Sequence, residues 1–255
     1  MGGTTEGLKV EVRGRGGPAL VFLHAFAASS AAWNAVIEEL EGEHLCVAPD
    51  LRGFGRSAPA DVYDIAGHAE DVLALVEARV DGPWLLAGHS MGGKIATAIA
   101  SRCPEGLAGV ALFAPSPPTP EPISDDERAE RLAAHGDQTA ARATLRDITV
   151  GPILDEAGAR FVEDTLACSP SAWAWWLAAG SREDISDFVE RIAAPLVVML
   201  GACDPVIPLH ALDAALLSRQ PSALLTLVPE TGHLLPLERP SSCADTLRQL
   251  ARSIS

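Results

Sequence analysis

The sequence predicts an α/β protein with a mostly parallel central sheet, flanking helices and one inserted helical segment. Short apolar runs alternate with longer amphipathic runs along most of the 255 residues, which is the pattern of strands and helices that succeed one another in one sheet. A Pro-rich stretch at 115–122 interrupts this alternation once. The hydrophobic fraction is 48% and the charged fraction 21%, ordinary values for a globular domain with a large core.

The predicted strands are short and rich in Val, Leu and Phe. They cover residues 8–12, 19–23, 45–48, 85–88, 109–113, 196–200 and 224–228. The first alternates apolar and polar residues, as an edge strand does, whereas the second and third have the continuous apolar character of buried strands. The intervening helices are predicted at about 31–40, 67–80, 91–102, 208–219 and 240–252.

The Pro-rich stretch marks the start of the insertion. It reads PSPPTPEP, and proline continues neither a helix nor a central strand, because its ring fixes φ and it lacks an N–H. From about residue 123 to 190 no strand-like run occurs, and the sheet restarts after Pro195. We therefore predict a core of residues 1–119 and 191–255 and a helical cap at 120–190, over the sheet edge where open α/β folds bind ligands. A helical layer that only enlarges the core is the alternative.

Composition limits the expected partners and compartment. The net charge is −15, from 34 acidic and 19 basic residues, and such a surface repels phosphate backbones and anionic lipids. We therefore predict neither a nucleic-acid nor a membrane partner. The five cysteines form no C-x-x-C pair and the seven histidines no metal-binding cluster, so neither a disulfide framework nor a metal site is predicted. No secretory apolar region follows Met1, and the expected location is the cytoplasm.

A serine lies in a glycine-rich turn between a predicted strand and a predicted helix. Residues 88–93 read Gly-His-Ser-Met-Gly-Gly, and strand, turn and helix around G-x-S-x-G are the context of a nucleophile elbow. Glycines are expected beside the serine because side chains there make strand and helix collide. Ser90 then projects above the sheet edge, near backbone N–H groups at a helix start. His89 is expected to pack or hydrogen-bond on the opposite side.

A nucleophilic serine needs a base, and the base needs an orienting group. Asp204 directly follows the sixth predicted strand, and His233 follows the seventh. The order Ser90, Asp204, His233 agrees with one known order of a catalytic triad. Asp204 is also explained as a turn former before proline, and His233 as a surface or capping residue. Two acidic rivals, Asp184 and Asp187, follow no strand.

Five segments together resemble the α/β-hydrolase superfamily. They are His24-Ala25-Phe26, Asp50-Leu51-Arg52-Gly53-Phe54-Gly55-Arg56-Ser57, the elbow at 88–93, Asp204-Pro205 and Gly232-His233. The chain is most similar to the capped subgroup of serine esterases, lactonases, haloperoxidase-like and perhydrolase-like enzymes and C–C hydrolases. The similarity covers nearly the whole chain and implies an α/β-hydrolase fold with an inserted helical cap. In the second segment, Asp50 is expected to hold its loop by hydrogen bonding to Arg52.

The resemblance also implies where a negatively charged intermediate is stabilised. The backbone N–H groups of Phe26 and Met91 are expected to form the oxyanion hole. Ala25 stands where the family usually has glycine, which predicts local strain if that position requires a positive φ.

The substrate pocket is expected to involve His24 and Trp175. Two further tryptophans, Trp173 and Trp176, are three residues apart in a predicted helix. Residues at that spacing share a helix face, so this pair is expected to pack against the core.

The expected function is hydrolysis of a carboxylic ester or lactone of a small, largely apolar substrate. An acyl-enzyme forms on Ser90 and water then releases the acid, without a metal or an organic cofactor. Two alternatives share the site: a C–C bond hydrolase or lyase with the same triad, and a small-molecule receptor that keeps the triad. The first needs a cation for a substrate carboxylate, whereas Lys94 is expected at a helix surface or in packing. The sequence leaves monomer and homo-oligomer equally open.

Overall fold

Seven strands form one sheet in the computed structural model, which describes residues 7–254. The strands are β1 (Val10–Gly14), β2 (Ala19–Leu23), β3 (Leu45–Pro49), β4 (Trp84–His89), β5 (Leu107–Phe113), β6 (Leu196–Gly201) and β7 (Leu224–Val228). Their order across the sheet is β1-β3-β2-β4-β5-β6-β7. β1 runs antiparallel to β3, and the other neighbouring pairs are parallel. The predicted α/β class with a mostly parallel sheet is therefore confirmed.

Helices flank this sheet. They are α1 (Asn34–Leu40), α2 (Ile65–Arg79), α3 (Met91–Ala100), α4 (Asp125–Ala133), α5 (Gln138–Ile148), α6 (Asp155–Ala167), α7 (Pro170–Ala178), α8 (Leu209–Ala215), α9 (Leu235–Glu238) and α10 (Pro240–Ser253). α3 packs on β2, β4 and α2, while α10 packs on β5 and α1. Within residues 7–254, no helix is long and apolar enough to cross a membrane.

The first strand starts two residues later than predicted. The Lys9 carbonyl oxygen still accepts the Asp50 N–H in the register of β1 and β3, but the Lys9 N–H donates to Ser57 Oγ at 2.8 Å instead of to β3. The strand ends at Gly14, whose φ of 72° leaves the β region. The helix predicted at 31–40 begins as a short 3-10 turn before α1.

β2 and β4 are buried along their whole length. Parallel strands covered by helices on both faces require continuous apolar sequence, which explains the unbroken Val, Leu and Phe runs. The carboxyl ends of β4, β6 and β7 lie at one edge of the sheet, since these strands run in the same direction. This edge receives the loops that carry the candidate site.

Between β5 and β6 the described chain forms helices and turns without a strand. Residues 125–191, called here the inserted helices, comprise α4 to α7 and two short 3-10 turns. Local sequence explains the helix starts: the side chains of Ser124, Asp137 and Ser169 accept hydrogen bonds from first-turn N–H groups. α4 packs on α7 and α5 packs on α6.

Candidate active site

Ser90 lies on a sharp turn between β4 and α3. Its φ of 51° and ψ of −117° are a conformation that non-glycine residues rarely adopt. A Cβ at Gly88 would lie 2.5 Å from the carbonyl oxygen of Gly92, and a Cβ at Gly92 would lie 2.5 Å from that of Leu23. The steric reason predicted for both glycines is therefore confirmed. The strained turn leaves the Ser90 side chain facing a cavity.

Ser90, His233 and Asp204 form one hydrogen-bonded chain. His233 Nε2 lies 2.9 Å from Ser90 Oγ, and His233 Nδ1 lies 2.8 Å from Asp204 Oδ2. The His233 and Asp204 side chains are 5% and 2% exposed. β6 and β7 end next to each other at the sheet edge, which brings their following loops together. This arrangement can transfer a proton from the Ser90 hydroxyl to His233.

Asp204 combines the two roles that its sequence position suggested. Its Oδ1 accepts hydrogen bonds from the N–H groups of Val206 at 2.7 Å and Ile207 at 3.1 Å, which close the turn. Its Oδ2 faces His233. Burial raises the pKa of Asp204, but the His233 imidazole and the two backbone donors outweigh burial and hold that pKa below its usual value. The carboxylate is thus kept ionised beside the imidazole.

The backbone of His233 is held from two sides. Its N–H donates to the carbonyl oxygen of Ile148 at 2.8 Å, and its carbonyl oxygen accepts from His89 Nε2 at 2.9 Å. The prediction that His89 hydrogen-bonds away from the nucleophile is therefore confirmed. Burial, followed by the nearby His233, lowers the pKa of His89 to about 3, so His89 stays neutral and donates.

Glu238 is a supporting residue that the sequence analysis missed. Its carboxylate accepts hydrogen bonds from four backbone N–H groups, at distances of 2.6–3.1 Å, which belong to Val150, Gly151, Gly232 and Leu234. Two of these donors flank His233, and two lie in the loop that follows α5. Glu238 therefore ties the histidine loop to the inserted helices. A glutamate five residues after a candidate base could have suggested a contact with the histidine loop. Its partners Val150 and Gly151 could not be predicted, because they lie far away in the sequence.

Two backbone N–H groups near Ser90 are available as donors. Phe26 borders the cavity, and Met91 is the first residue of α3. Within residues 7–254, no hydrogen bond uses the backbone N–H of Phe26 or Met91 as its donor. The first N–H groups of a helix have no partner inside that helix, so the Met91 N–H is free to meet a ligand.

The strain considered for Ala25 occurs two residues later. Among the described non-glycine residues, Ala27 has a positive φ of 57°, and Ala25 does not. The prediction of strain at Ala25 depended on a positive φ there and does not apply. The hydroxyl of Thr165 in α6 donates to the Ala27 carbonyl oxygen at 3.3 Å, so an inserted helix supports this turn.

A cavity of about 310 Å³ opens above Ser90 and His233. Its walls are mainly apolar and include Phe26, Trp173 and Trp176. The expectation that Trp173 and Trp176 pack against the core is confirmed, but it is not their whole environment. Both pack on Phe26, with ring centroids 4.9 Å and 6.4 Å from it, but they also face the cavity because Phe26 itself lies in its wall.

His24 was wrongly predicted to line the pocket. It is fully buried next to the loop that carries Phe26, where Nδ1 lies 2.8 Å from the Ala25 carbonyl oxygen and Nε2 accepts the Leu51 N–H at 2.9 Å. Burial lowers the pKa of His24, which favours the neutral ring that this donor and acceptor pair requires. His24 joins two loops of the core and does not reach the cavity.

Trp175 was also wrongly predicted to line the pocket. It stacks on Tyr63, with ring centroids 5.8 Å apart, and on His68, at 4.7 Å. Trp175 lies on a different side of α7 from the cavity-facing pair, because residues one or two apart on a helix face different directions, although its ring contacts that of Trp176 edge to face, with centroids 5.7 Å apart. Its role is to pack the inserted helices onto the core.

The Asp50 loop is held differently from the prediction. Asp50 Oδ2 accepts hydrogen bonds from both the N–H and the Nε of Arg56, and its Oδ1 accepts the N–H of Ser30. Arg52 pairs instead with Asp71, at 2.5 Å. The predicted pair of Asp50 and Arg52 was therefore wrong, because the loop turns Arg52 towards α2.

The rival carboxylates lie outside the Ser90 chain of hydrogen bonds. Asp184 Oδ1 accepts the N–H of Ser186 at 2.9 Å, and Asp187 lies in a 3-10 turn of the inserted helices. Across the described part of the chain, no group of three or more His, Cys, Asp or Glu side chains is placed to hold a metal ion.

Comparisons with known proteins agree with this fold. The dihydrolipoyllysine-residue acetyltransferase component of the acetoin cleaving system of Pseudomonas putida is 29% identical over 89% of this chain, which spans 62% of that protein. The pimeloyl-[acyl-carrier protein] methyl ester esterase of Nitrosomonas europaea is 26% identical over 94% of this chain and 99% of that protein. The non-heme chloroperoxidase of Streptomyces lividans is 30% identical, with 86% and 85% covered.

A solved structure extends the comparison. The thermophilic esterase from Thermogutta terrifontis superimposes with a TM-score of 0.80 at 25% identity, covering 97% of this chain and 93% of that one. These similarities support a hydrolytic enzyme. The alpha/beta hydrolase family model matches residues 20–246, most of the chain. The protein therefore belongs to the alpha/beta hydrolase family.

Proposed function

We propose that this protein is a serine hydrolase that cleaves a carboxylic ester or lactone through an acyl-enzyme on Ser90. The main supporting observation is the chain of hydrogen bonds from Ser90 Oγ to His233 Nε2 and from His233 Nδ1 to Asp204 Oδ2, below a mainly apolar cavity. A strained serine beside a neutral imidazole and an ionised carboxylate has the arrangement that activates a hydroxyl for acyl transfer.

Acylation starts when His233 Nε2 takes the Ser90 proton as Oγ forms a bond to the substrate carbonyl carbon. The carbonyl oxygen becomes an oxyanion, which the N–H groups of Phe26 and Met91 stabilise. The carbon–oxygen bond to the leaving alcohol breaks, and His233 returns its proton to that oxygen. Asp204 stabilises the imidazolium between these transfers.

Deacylation repeats the sequence with water. A water molecule gives a proton to His233 while its oxygen attacks the acyl carbon. The bond to Ser90 Oγ breaks, the serine recovers its proton from His233, and the acid leaves. No step in this cycle uses a metal or an organic cofactor.

The inserted helices suit the role of a cap at 120–190 on a core of residues 1–119 and 191–255. Trp173 and Trp176 bring the α7 face of the insertion to the cavity, and Thr165 of α6 contacts the oxyanion loop. An apolar cavity of about 310 Å³ fits a small, largely apolar acyl or alcohol group. Small-molecule hydrolysis in the cytoplasm remains our prediction from the sequence.

Ester hydrolysis is better supported than C–C bond cleavage. The alternative needs a cation that meets a substrate carboxylate. Lys94 is fully buried and its Nζ donates to the Thr119 carbonyl oxygen at 3.3 Å. Arg131 borders the cavity but pairs with Glu127 at 2.6 Å. Ester hydrolysis is also better supported than ligand binding without turnover, because a receptor has no use for the complete chain of hydrogen bonds from Ser90 through His233 to Asp204.

The test is hydrolysis of p-nitrophenyl esters from acetate to decanoate. We expect rapid turnover by the wild type and a loss of about 10⁴-fold or more in kcat for Ser90→Ala, because the acyl-enzyme then has no nucleophile. Ser101→Ala is the matched control, since Ser101 is at the far end of α3 and its hydroxyl donates to the Ala98 carbonyl oxygen. Turnover that does not depend on Ser90 contradicts the proposal.

A further inference from the structure

Glu121 lies in the Pro-rich stretch and reaches the wall of the candidate active-site cavity. It is only 8% exposed. Like Ser90 and His233, it lines the cavity. The mechanism proposed above gives this carboxylate no task. A buried ionisable group next to a reaction centre calls for an explanation.

The backbone around Glu121 is firmly held. Its N–H donates to the Ser181 carbonyl oxygen at 2.8 Å, and its carbonyl oxygen accepts from Arg128 Nη2 at 3.2 Å and from the Ile123 N–H at 2.8 Å. Arg128 Nη1 also donates to the Leu177 carbonyl oxygen at 2.6 Å. These contacts fix the backbone of Glu121 at the cavity wall.

The carboxylate has few donors for its two oxygen atoms. Within residues 7–254, no ion pair involves these oxygens, and the side-chain donor beside them is the buried Ser116 hydroxyl. Burial raises the pKa of Glu121, while the Ser116 hydroxyl and the Lys94 ammonium oppose that rise. Buried carboxylates without donors are costly. A donor supplied by a bound molecule would relieve that cost.

The charges around Glu121 indicate a neutral donor. The ammonium of Lys94 and the guanidinium of Arg128 are both close enough to stabilise the carboxylate. Both positive groups are almost completely buried. Because they already balance the negative charge, a ligand cation would meet repulsion from two sides, whereas a hydroxyl needs no countercharge.

The rest of the cavity makes Glu121 selective. The Thr165 hydroxyl donates to the Phe161 carbonyl oxygen at 2.8 Å and can still accept a hydrogen bond, but a neutral oxygen is a weaker acceptor than a carboxylate. Asp147 also borders the cavity, but its side chain is 62% exposed and pairs with Arg146, so water satisfies it. A substrate hydroxyl placed among Phe26 and Trp173 would find Glu121 as its buried acceptor.

We propose that Glu121 selects esters whose acyl or alcohol part carries a hydroxyl group, by accepting a hydrogen bond from that hydroxyl inside the cavity. The inference rests on the proposed ester hydrolysis and defines its substrate class more narrowly. Discrimination of this kind is strong, because a substrate without the hydroxyl leaves the buried carboxylate with too few donors.

The experiment compares three esters of similar size: ethyl butyrate, ethyl 3-hydroxybutyrate and 2-hydroxyethyl butyrate. Acid release is followed in a pH-stat, and the measured quantity is the ratio of kcat/KM for each hydroxy ester to that for ethyl butyrate. We expect a ratio of about ten for one hydroxy ester in the wild type, because one hydrogen bond to a charged group stabilises the bound substrate enough to change kcat/KM about tenfold. In Glu121→Leu the ratio falls to about one.

Two further variants sharpen the result. Glu121→Gln keeps an acceptor oxygen without the charge, and its ratio is expected between those of the wild type and Glu121→Leu. Asp147→Asn changes an exposed carboxylate of the same cavity and is expected to leave the ratio unchanged. Thermal unfolding of each variant shows whether it is folded, and the ratio cancels any general change in activity.

The outcomes separate the two proposals. A wild type that hydrolyses ethyl butyrate through Ser90 but shows no preference for either hydroxy ester overturns the inference and leaves the proposed function intact. A preference that persists in Glu121→Leu also overturns it. A wild type that hydrolyses none of the three esters contradicts the proposed function and the inference together.

Discussion

Glu238 and Glu121 are both buried glutamates near the candidate site, 4% and 8% exposed, and their surroundings are opposite. Glu238 accepts four backbone N–H groups on both sides of the His233 loop. Glu121 has its backbone held, and the side-chain donor beside its carboxylate is the Ser116 hydroxyl. The first glutamate completes the fold around the base, whereas the second faces the space that a substrate would occupy.

The number of donors around each carboxylate distinguishes one that holds the structure from one that is available to a ligand. A carboxylate that has used its acceptor capacity on the backbone cannot bind a substrate without disrupting its own loop. A buried carboxylate with too few donors raises the free energy of the folded protein until a further donor arrives. The two residues should therefore respond to substitution with opposite signs in stability.

The largest effect is expected for Glu238→Leu. Four N–H groups lose their acceptor, so we expect the free energy of unfolding to fall by about 3 kcal/mol, because each buried unsatisfied group costs about 1–3 kcal/mol and some regain water. Activity should fall with it, as the loop carrying His233 loses its anchor. Urea unfolding measures the first effect and p-nitrophenyl ester hydrolysis the second.

Glu77→Leu is the matched control for that substitution. Glu77 is exposed on α2, and its replacement is expected to change the free energy of unfolding by less than about 0.5 kcal/mol. A Glu238→Leu variant as stable as Glu77→Leu would show that the four hydrogen bonds of Glu238 do not hold the loop.

A smaller effect of opposite sign is expected for Glu121→Gln. The amide removes a charge that burial disfavours, so at pH 7 the free energy of unfolding should rise by up to about 1 kcal/mol. The gain stays small because Lys94 loses a favourable neighbour. Urea unfolding at fixed pH measures it. Destabilisation comparable to that of Glu238→Leu would remove the contrast between the two glutamates.

The smallest effect is the pH dependence of the difference in unfolding free energy between Glu121→Gln and the wild type. Because the native pKa of Glu121 is raised, the native state binds the proton more tightly than the unfolded state, and wild-type stability falls as pH rises from about 4.3, the unfolded value, to the native pKa. Glu121→Gln lacks this loss. Its advantage over the wild type should therefore disappear near pH 4, which unfolding curves across that range will measure. An advantage that grows in acid contradicts the assignment.

Local sequence was enough for the features that depend on neighbouring residues. The glycines around Ser90 are required by contacts within a strand, a turn and a helix that adjoin in the chain, so a short motif predicts them. Asp204 and His233 were found because each follows a strand, and parallel strands end at one edge. Continuous apolar runs likewise identified the buried strands.

The remaining residues depended on how the inserted helices dock. Periodicity assigned Trp173 and Trp176 to one helix face and Trp175 to another, but it does not say which face meets the cavity. His24 and Trp175 were assigned to the pocket because they lie near the motifs in sequence, whereas their side chains point into the core and onto Tyr63. Side-chain direction in a loop is not encoded in spacing alone.

By itself, the sequence determined the α/β class, the alternation of strands and helices, the helical insertion and the residues of the Ser90, Asp204 and His233 chain. These features follow from steric and hydrophobic patterns that act over a few residues. The tertiary structure alone decided which tryptophans face the cavity, that Glu238 holds the histidine loop, and that Glu121 is buried in the cavity wall. Those outcomes depend on contacts between segments far apart in the chain, and such contacts exist only after the inserted helices pack on the sheet.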